Sequence, residues 1–386
     1  MSFHVCWYKS CPEESTTAFE LDSRKVLRSL VLKTVDRTVP FFPRLDDMTL
    51  HRLGERPPRR VGILRALQLG DLLCAVPALR ALRAALPDAE MVLIGLPWAR
   101  SFVQRFDMYL DGFREFPGYP GLPEQAPRLE RIGAFLDEIQ AEEFDLVLQM
   151  QGSGRITNPL AVLLGARITA GFREPGGYCP DPERFLLYTD HGLEIDRLLS
   201  LVEFLGVPAR GTHLEFPLRP EDYRALENIP EARRLQPGRY VCVHVGASTP
   251  ARRWPLLNFV EVAGWLAARG LAIALSGTAA EAGLTASVAA QLPNGAVNLA
   301  GRTDLGCLAA LLSGAALLIC NDTGVSHLAD ALRVPSVVIS TGKNPQRWTP
   351  RDQERYQVLC RETGVLPSEV IHRAKLALSR YSGPAD

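Results

Sequence analysis

Residues 316–339 read ALLICNDTGVSHLADALRVPSVVI, and the order of their parts decides the fold. Ala316–Cys320 is an unbroken apolar run of strand length, and Asn321-Asp322 end it with a polar turn. Thr323–Leu332 then opens directly as a helix, and Ser336–Ile339 is a second short apolar run. A strand, a tight turn, a helix and another buried strand make the unit from which parallel sheets are wound, with helices covering both faces.

The same rhythm extends outward from this unit. Tyr240–Val245 and Leu271–Leu275 read as strands, and Leu256–Ala268, Ala279–Gln291 and Asp304–Leu312 as helices. Further back, Val61–Leu64, Met91–Ile94 and Phe144–Leu148 are strand-like. Leu72–Leu86 carries one helical stripe of Leu72, Leu73, Val76, Leu79, Leu82 and Leu86, and a further helix surrounds Leu160–Leu164. The rhythm pauses between Gly176 and Arg239, where Pro, Gly and charge dominate and only Leu193–Leu205 looks helical. The expectation is an α/β protein of two doubly wound, Rossmann-like domains, over residues 59–220 and 221–351. Residues 1–58 form an N-terminal extension with one helix over Ser23–Val35, ending in Glu55-Arg56-Pro57-Pro58-Arg59-Arg60. The tail over 352–386 is expected to pack back on the first domain.

At about 100–200 residues per domain, a chain of 386 residues agrees with that division. Its 43 basic and 43 acidic side chains cancel, which removes the global field that draws in nucleic acid. The start, MSFHVCWYKSCPEES, lacks a basic head followed by a long apolar stretch, so no secretory signal is expected. The longest apolar run, Leu305–Cys320, is broken by Gly306 and Gly314 and too short to span a bilayer. Eight scattered cysteines read as reduced thiols of a cytoplasmic protein rather than disulfides or a zinc site.

In open parallel sheets ligands bind beyond the carboxyl ends of the strands, which directs attention to the loops after Leu64, Leu148, Val245, Leu275 and Cys320. In Asn321-Asp322-Thr323-Gly324, a helix starts where a strand stops, so unpaired backbone N–H groups and the positive dipole end favour an anion. Asp322 or Thr323 equally reads as a plain helix cap. His327, one turn in, either faces a ligand or packs. The loop Gly246–Trp254 offers Ser248, Thr249, Arg252 and Arg253, two hydroxyls and two guanidiniums suited to a diphosphate. Asp71, after Gly70 and before a helix, is either a cap or a carboxylate held at the cleft to take a proton from a hydroxyl. The chain has no Asp-x-Asp pair to hold a metal against a diphosphate. It also lacks a Walker loop, a dinucleotide fingerprint after an N-terminal strand, and any His-rich metal spacing.

From about Arg60 to Pro350 these pieces resemble glycosyltransferase family 9, the ADP-heptose:lipopolysaccharide heptosyltransferases and their relatives. The resemblance is carried by Leu69-Gly70-Asp71 with Pro77-Ala78-Leu79, then Phe144-Asp145-Leu146-Val147 followed by Gln151-Gly152. It continues in His244-Val245-Gly246-Ala247, Arg253-Trp254-Pro255 and Leu299-Ala300-Gly301-Arg302-Thr303. Its last part is Asn321-Asp322-Thr323-Gly324 with His327-Leu328-Ala329. The chain departs from the family at Val245 and Val325, where relatives usually carry Pro, and at Ser340-Thr341-Gly342-Lys343 after the last strand.

The resemblance implies a GT-B fold, with a nucleotide-diphosphate sugar held mainly by the second domain and a glycan or lipid-linked acceptor by the first. It implies an inverting transfer that needs no metal and no cofactor beyond the nucleotide sugar. Asp71 matches the catalytic base, and Arg252 the basic residue near the phosphates. Thr323 and Gly324 match diphosphate contacts, with Asp322 and His327 beside them. Glu281 falls where the ribose is held, and Gln151 and Gly152 lie on the acceptor side. A cytoplasmic enzyme with transient contact at the membrane surface follows from such an acceptor. Two other readings fit the same residues: the same fold with another donor or acceptor, or an inactive nucleotide-binding subunit.

Overall fold

The computed structural model describes residues 51–293, 295–341, 345–360 and 364–381; the helix expected over Ser23–Val35 lies outside them. The first half runs β1 (Arg60–Leu64), α1 (Leu69–Ala85), β2 (Glu90–Gly95), α2 (Ala99–Arg105) and β3 (Gly112–Glu115). It continues α3 (Leu129–Gln140), β4 (Leu146–Gln149), α4 (Thr157–Leu163), β5 (Ile168–Arg173) and β6 (Phe185–Leu187). Helices α5 (Glu194–Phe204) and α6 (Pro220–Glu227) follow.

The second half begins β7 (Tyr240–His244), α7 (Leu256–Ala267), β8 (Ala272–Ser276), α8 (Ala282–Ala289), β9 (Val297–Asn298) and α9 (Leu305–Ser313). It ends β10 (Leu317–Asn321), α10 (Gly324–Ala331), β11 (Ser336–Ser340), α11 (Pro345–Trp348), β12 (Tyr356–Cys360) and α12 (Pro367–Tyr381). Each half has one six-stranded parallel sheet, in the orders β3-β2-β1-β4-β5-β6 and β12-β11-β10-β7-β8-β9. Counted from its own first strand, each sheet has the same order, and each reverses direction beside that strand.

The central strands are apolar runs because both of their faces are covered: β4, β7, β10 and β11 are buried at every position. Strands β3, β5, β6, β9 and β12 were not read from the sequence. β3, β6 and β9 are edge or near-edge strands of two to four residues, and β5 mixes half-buried and buried positions. Helix α1 also departs from its expected single stripe. Leu72, Leu73, Cys74, Ala75, Val76, Ala78, Leu79, Ala81 and Leu82 are all buried, because α1 packs on its own sheet, on α5 and on α10 of the second half. One apolar core consequently runs through both halves, joining Leu72 and Val76 to Val325, Leu328 and Ala329.

Two expected boundaries move. The stretch before residue 59 is already part of the first half from residue 51 onward. Leu53 is fully buried in its core, and the Arg52 guanidinium lies 4.2 Å from the Phe204 ring centre. The tail over 352–386 does not return to the first half. β12 pairs with the open edge of β11, and α12 places Val370, Ala374 and Ala377 in the core of the second half. Their spacing of four and three residues is the stripe that a helix covering one sheet face requires. The crossing is made earlier, by α11 and the residues after it: Arg347 pairs with Glu194 and Arg351 with Asp196, both acids on α5. No helix among the described residues is long and apolar enough to cross a membrane.

The two halves meet closely where α1 and α10 begin. A Cβ on Gly70 would lie 2.7 Å from His327 Cδ2 and 3.3 Å from Gly324 Cα, and one on Gly324 would lie 3.1 Å from Gly70 N. Gly70→Ala is expected to lower stability by about 1–3 kcal/mol through overpacking, read as a lower urea midpoint at unchanged slope. Gly264→Ala on α7, where an added Cβ meets nothing within 4 Å, is expected to leave stability unchanged or raise it by up to about 1 kcal/mol.

Candidate active site

Four loops leave the strands at which the two sheet orders reverse: those after β1, β4, β7 and β10. Three of them, with the turn after β8 and the start of α9, surround a cleft of about 810 Å³. Asp71, Ser248, Arg252, Arg253, Glu281, Asp322, Thr323, Gly324 and His327 all line it. Thr249 does not; it is exposed and starts the 3-10 turn Pro250–Arg252, accepting from Arg252 N at 3.1 Å. Gln151 and Gly152 also stand apart from this cleft, in the loop after β4. Gln151 is buried, with Oε1 accepting from Ala66 N at 2.8 Å and Nε2 without a partner.

Asp71 is not the N-cap of α1; that position belongs to Gln68, and Asp71 sits three residues in. Its Oδ2 accepts from Gln68 N at 3.2 Å, closing a capping box. Its other oxygen carries no hydrogen bond among the described residues, which leaves it for a proton. Burial pushes this carboxyl above its ordinary value, and Glu194 adds to the rise. Arg65, His327 and the Gln68 amide oppose it. Capping alone therefore does not hold Asp71 at an ordinary aspartate value.

At the start of α10 neither Asp322 nor Thr323 caps the helix. Thr323 holds the N-cap position in an extended conformation, yet its side chain makes no cap bond, and its Oγ1 is buried without a partner. A buried hydroxyl of this kind calls for an explanation, and a ligand oxygen supplies one. Asp322 is instead fixed sideways. Its Oδ2 accepts from Ser340 Oγ at 3.0 Å, and its carbonyl accepts from Arg252 Nη2 at 2.7 Å. That bond holds the half-exposed Arg252 beside the helix start. Arg253 folds back to donate to Ala247 O at 3.1 and 3.3 Å.

Glu281 shows why a glycine precedes Ala247. Thr278 N and Oγ1 donate to its Oε2 at 2.8 and 2.9 Å, and this carboxylate fills the place of a side chain on Gly246, where a Cβ would meet Oε1 at 1.8 Å. His327 both packs and lines the cleft. Its Nδ1 is 3.7 Å from Cys74 Sγ, and its ring stands edge-on to Trp348 at 6.0 Å. Burial pushes its imidazole below its ordinary value.

Other positions were not singled out in the sequence as binding residues. Asn321 is fully buried and ties the loop after β10 to the loop after β7. It accepts from Trp254 N at 2.9 Å and donates to Val245 O and Gly246 O at 2.9 and 3.0 Å. His244 lines the cleft with Nδ1 3.1 Å from Ser276 Oγ. Thr303, Leu305, Leu308 and Trp348 also line it. A buried polar residue ending an apolar strand was the available signal for Asn321 and His244. Trp348 carried none, because only the tertiary fold brings α11 to His327.

Comparison with known proteins bears on the family and the fold. Residues 132–375 match the family model for glycosyltransferase family 9 (heptosyltransferase). The chain is 22% identical over 303 residues to the lipopolysaccharide core heptosyltransferase OpsX of Haemophilus influenzae, covering 76% of this chain and 82% of that one. It is 27% identical over 314 residues to lipopolysaccharide heptosyltransferase 1 of Pseudomonas aeruginosa, covering 74% and 79%. Its fold matches the solved structure of ADP-heptose lipopolysaccharide heptosyltransferase II from Escherichia coli with a TM-score of 0.67, over 84% of this chain and 100% of that one, at 17% identity.

The far end of α10 carries a titratable group. Burial pushes the Asp330 carboxyl up to about 7, and Asp352 adds to the rise. Tyr356 and Arg355 oppose it. A carboxyl raised in this way remains protonated in the folded chain after the unfolded chain has ionised it. Its stabilising contribution is complete below the ordinary aspartate range and is lost as pH rises through about 7. Urea unfolding across that window is expected to show a smaller loss of stability with rising pH in Asp330→Asn than in the unaltered chain.

Proposed function

Since the chain belongs to glycosyltransferase family 9, the heptosyltransferases, we propose that it moves heptose from ADP-heptose onto a lipopolysaccharide-core glycan, with inversion and without a metal. Glycosyl transfer follows from the membership. The heptose and the acceptor rest on the activities for which its relatives are named, and the ADP-linked donor on the Escherichia coli ADP-heptose enzyme whose fold it shares. The observation that carries the mechanism is the abutment of α1 and α10 at Gly70 and Gly324, which puts the Asp71 turn and the Thr323 turn at one point of the cleft.

In this reading the diphosphate lies against the start of α10. There the first N–H groups, the unpartnered Thr323 Oγ1 and the guanidinium of Arg252 supply positive charge and donors. Glu281, oriented by Thr278, takes the ribose hydroxyls, and Leu305 and Leu308 cover the base. The acceptor lies on the first half, where Gln151 Nε2 and Glu124 Oε2 are buried polar atoms without partners.

Asp71 removes the proton of an acceptor hydroxyl as its oxygen attacks the anomeric carbon from the face opposite the diphosphate. The C–O bond to the diphosphate breaks, its electron pair leaves with the nucleotide, and the anomeric configuration inverts. The proton stays on Asp71, whose raised carboxyl suits that task. Charge gathering on the leaving diphosphate is met by fixed dipoles and Arg252, so no divalent cation is called for. The lipid-linked acceptor places the reaction at the cytoplasmic face of the membrane, with the enzyme in transient contact.

The test is ADP release from ADP-heptose, with and without a heptose-deficient lipopolysaccharide core. Asp71→Asn is expected to lower kcat by about 10²–10⁴-fold while donor binding persists. Arg252→Met is expected to cost about 10²-fold, and a chelator to change nothing. Because burial raises Asp71, kcat/KM is expected to climb with pH along a limb displaced above the ordinary aspartate range. An Asp71→Asn enzyme as active as the unaltered one would remove the base assignment. Failure to bind any nucleotide sugar would remove the transferase reading.

A further inference from the structure

Beside the cleft the protein buries a cluster of charge that donor binding does not use. Glu194 opens α5 with a side chain only 5% exposed, and three guanidiniums converge on it. Two come from its own half. Arg65, fully buried just after β1, donates Nη2 to Oε1 at 3.1 Å, and Arg197, one turn along α5, pairs with Oε2. The third, Arg347, belongs to α11 of the other half and donates Nε to Oε2 at 2.9 Å. Burial works to raise this carboxyl, but Arg65, Arg347 and Arg197 outweigh it and hold Glu194 below its ordinary value.

The outer two members reach the site from opposite directions. Arg65 donates Nε to the carbonyl of Asp71 at 2.9 Å and Nη1 to the carbonyl of Met150. One side chain thus fixes both loops at the reversal point of the first sheet. On the other side, the Arg347 guanidinium lies 4.9 Å from the ring centre of Trp348, the residue that lines the donor cleft and meets His327 edge-on. A continuous contact path therefore runs from the donor cleft through Trp348, Arg347, Glu194 and Arg65 to Asp71. Stability alone is a poor reason for such a cluster, since buried ion pairs are often replaced by apolar residues without loss. The cluster is complete only when the two halves are together, because Arg347 comes from the far side.

We propose that Glu194 is a positioning residue, the joint through which the seating of the second half by Arg347 is passed via Arg65 to the turn that holds Asp71. This rests on Asp71 being the base. Without Arg347, Glu194 has Arg65 and Arg197 only, and its charge bears on the Asp71 turn less opposed. With Arg347 seated, Glu194 is shared, while Arg65 holds both Glu194 through Nη2 and the Asp71 carbonyl through Nε. The groups that bear on this path around Asp71 are Arg65 after β1, Cys74 on α1, Glu124 before α3, Glu194 on α5, His327 on α10 and Arg347 on α11.

The experiment is the pH profile of kcat and kcat/KM for the full chain, with ADP-heptose and a heptose-deficient lipopolysaccharide core. Arg347→Met is expected to lower kcat by about 10- to 100-fold through misplacement of the base, with donor KM little changed. Its acid limb should move to higher pH, because Glu194 then acts on Asp71 less opposed. Glu194→Gln should move the limb to lower pH, because the carboxylate that raises Asp71 is gone while Arg65 remains. Arg351→Gln, which breaks the half-exposed bridge from just after α11 to Asp196 on α5, should leave the limb in place.

Limbs of Arg347→Met and Glu194→Gln that stay at the unaltered position, or move in the same direction, would overturn the proposal. So would an equal shift in Arg351→Gln. Glu194→Gln leaves three buried guanidiniums uncompensated; if it does not fold, Arg347→Met at the edge of the cluster decides alone. Asp71→Asn run alongside separates the two ideas. If it is as active as the unaltered chain, the base assignment falls and this proposal with it. If it is inactive while the limbs stay put, this proposal falls alone.

Discussion

The site depends on two helices starting against one another. α1 and α10 belong to different sheets, and their first turns come close enough at Gly70 and Gly324 that neither position accepts a side chain without displacement. Each start presents unpaired N–H groups and a positive dipole end, so their approach brings like partial charges together. Negative charge at that point relieves the conflict. Asp71 supplies one such charge when ionised, and in the proposed function the diphosphate of the donor supplies the other. In that reading, the approach of the two helix starts is also what favours an anion in the cleft. The shared core through Leu72, Val76, Val325 and Leu328 holds it in place.

Around that point the carboxylates and guanidiniums are given separate tasks by their partners. Asp322 braces Arg252 rather than capping a helix, and Glu281 is turned over Gly246 by Thr278. Glu194 collects three arginines from two halves. Arginine suits these places because its planar fork makes several directed bonds at once while remaining charged when buried. Arg65 uses three of its nitrogens in this way. A formal net charge of zero is compatible with a strongly polarised cleft, because the opposing charges are sorted by position.

Legibility followed burial. Most inner strands of both sheets were readable because a strand covered on both faces must be apolar throughout, and Val61–Leu64, Tyr240–Val243 and Leu317–Cys320 are so. The edge strands were not, because half of an edge strand is solvated and two to four residues show no period. The segment after Pro350 was misplaced for the same reason. Tyr356–Cys360 becomes a strand only because β11 offers it an edge.

By itself, the sequence determined that this chain winds two parallel sheets and which loops stand at their carboxyl ends, since those follow from local hydrophobic pattern and turn chemistry. It also marked most of the polar residues that line the cleft. Only the tertiary structure decided what each of them does. Whether Thr323 caps or waits, whether Asp322 binds or braces, and why Asp71 is raised depend on Arg65, Glu194, Ser340 and Arg252, which lie up to 123 positions away from the groups they govern. The physical reason is range: hydrophobic periodicity is written along the chain, whereas burial and charge act through space.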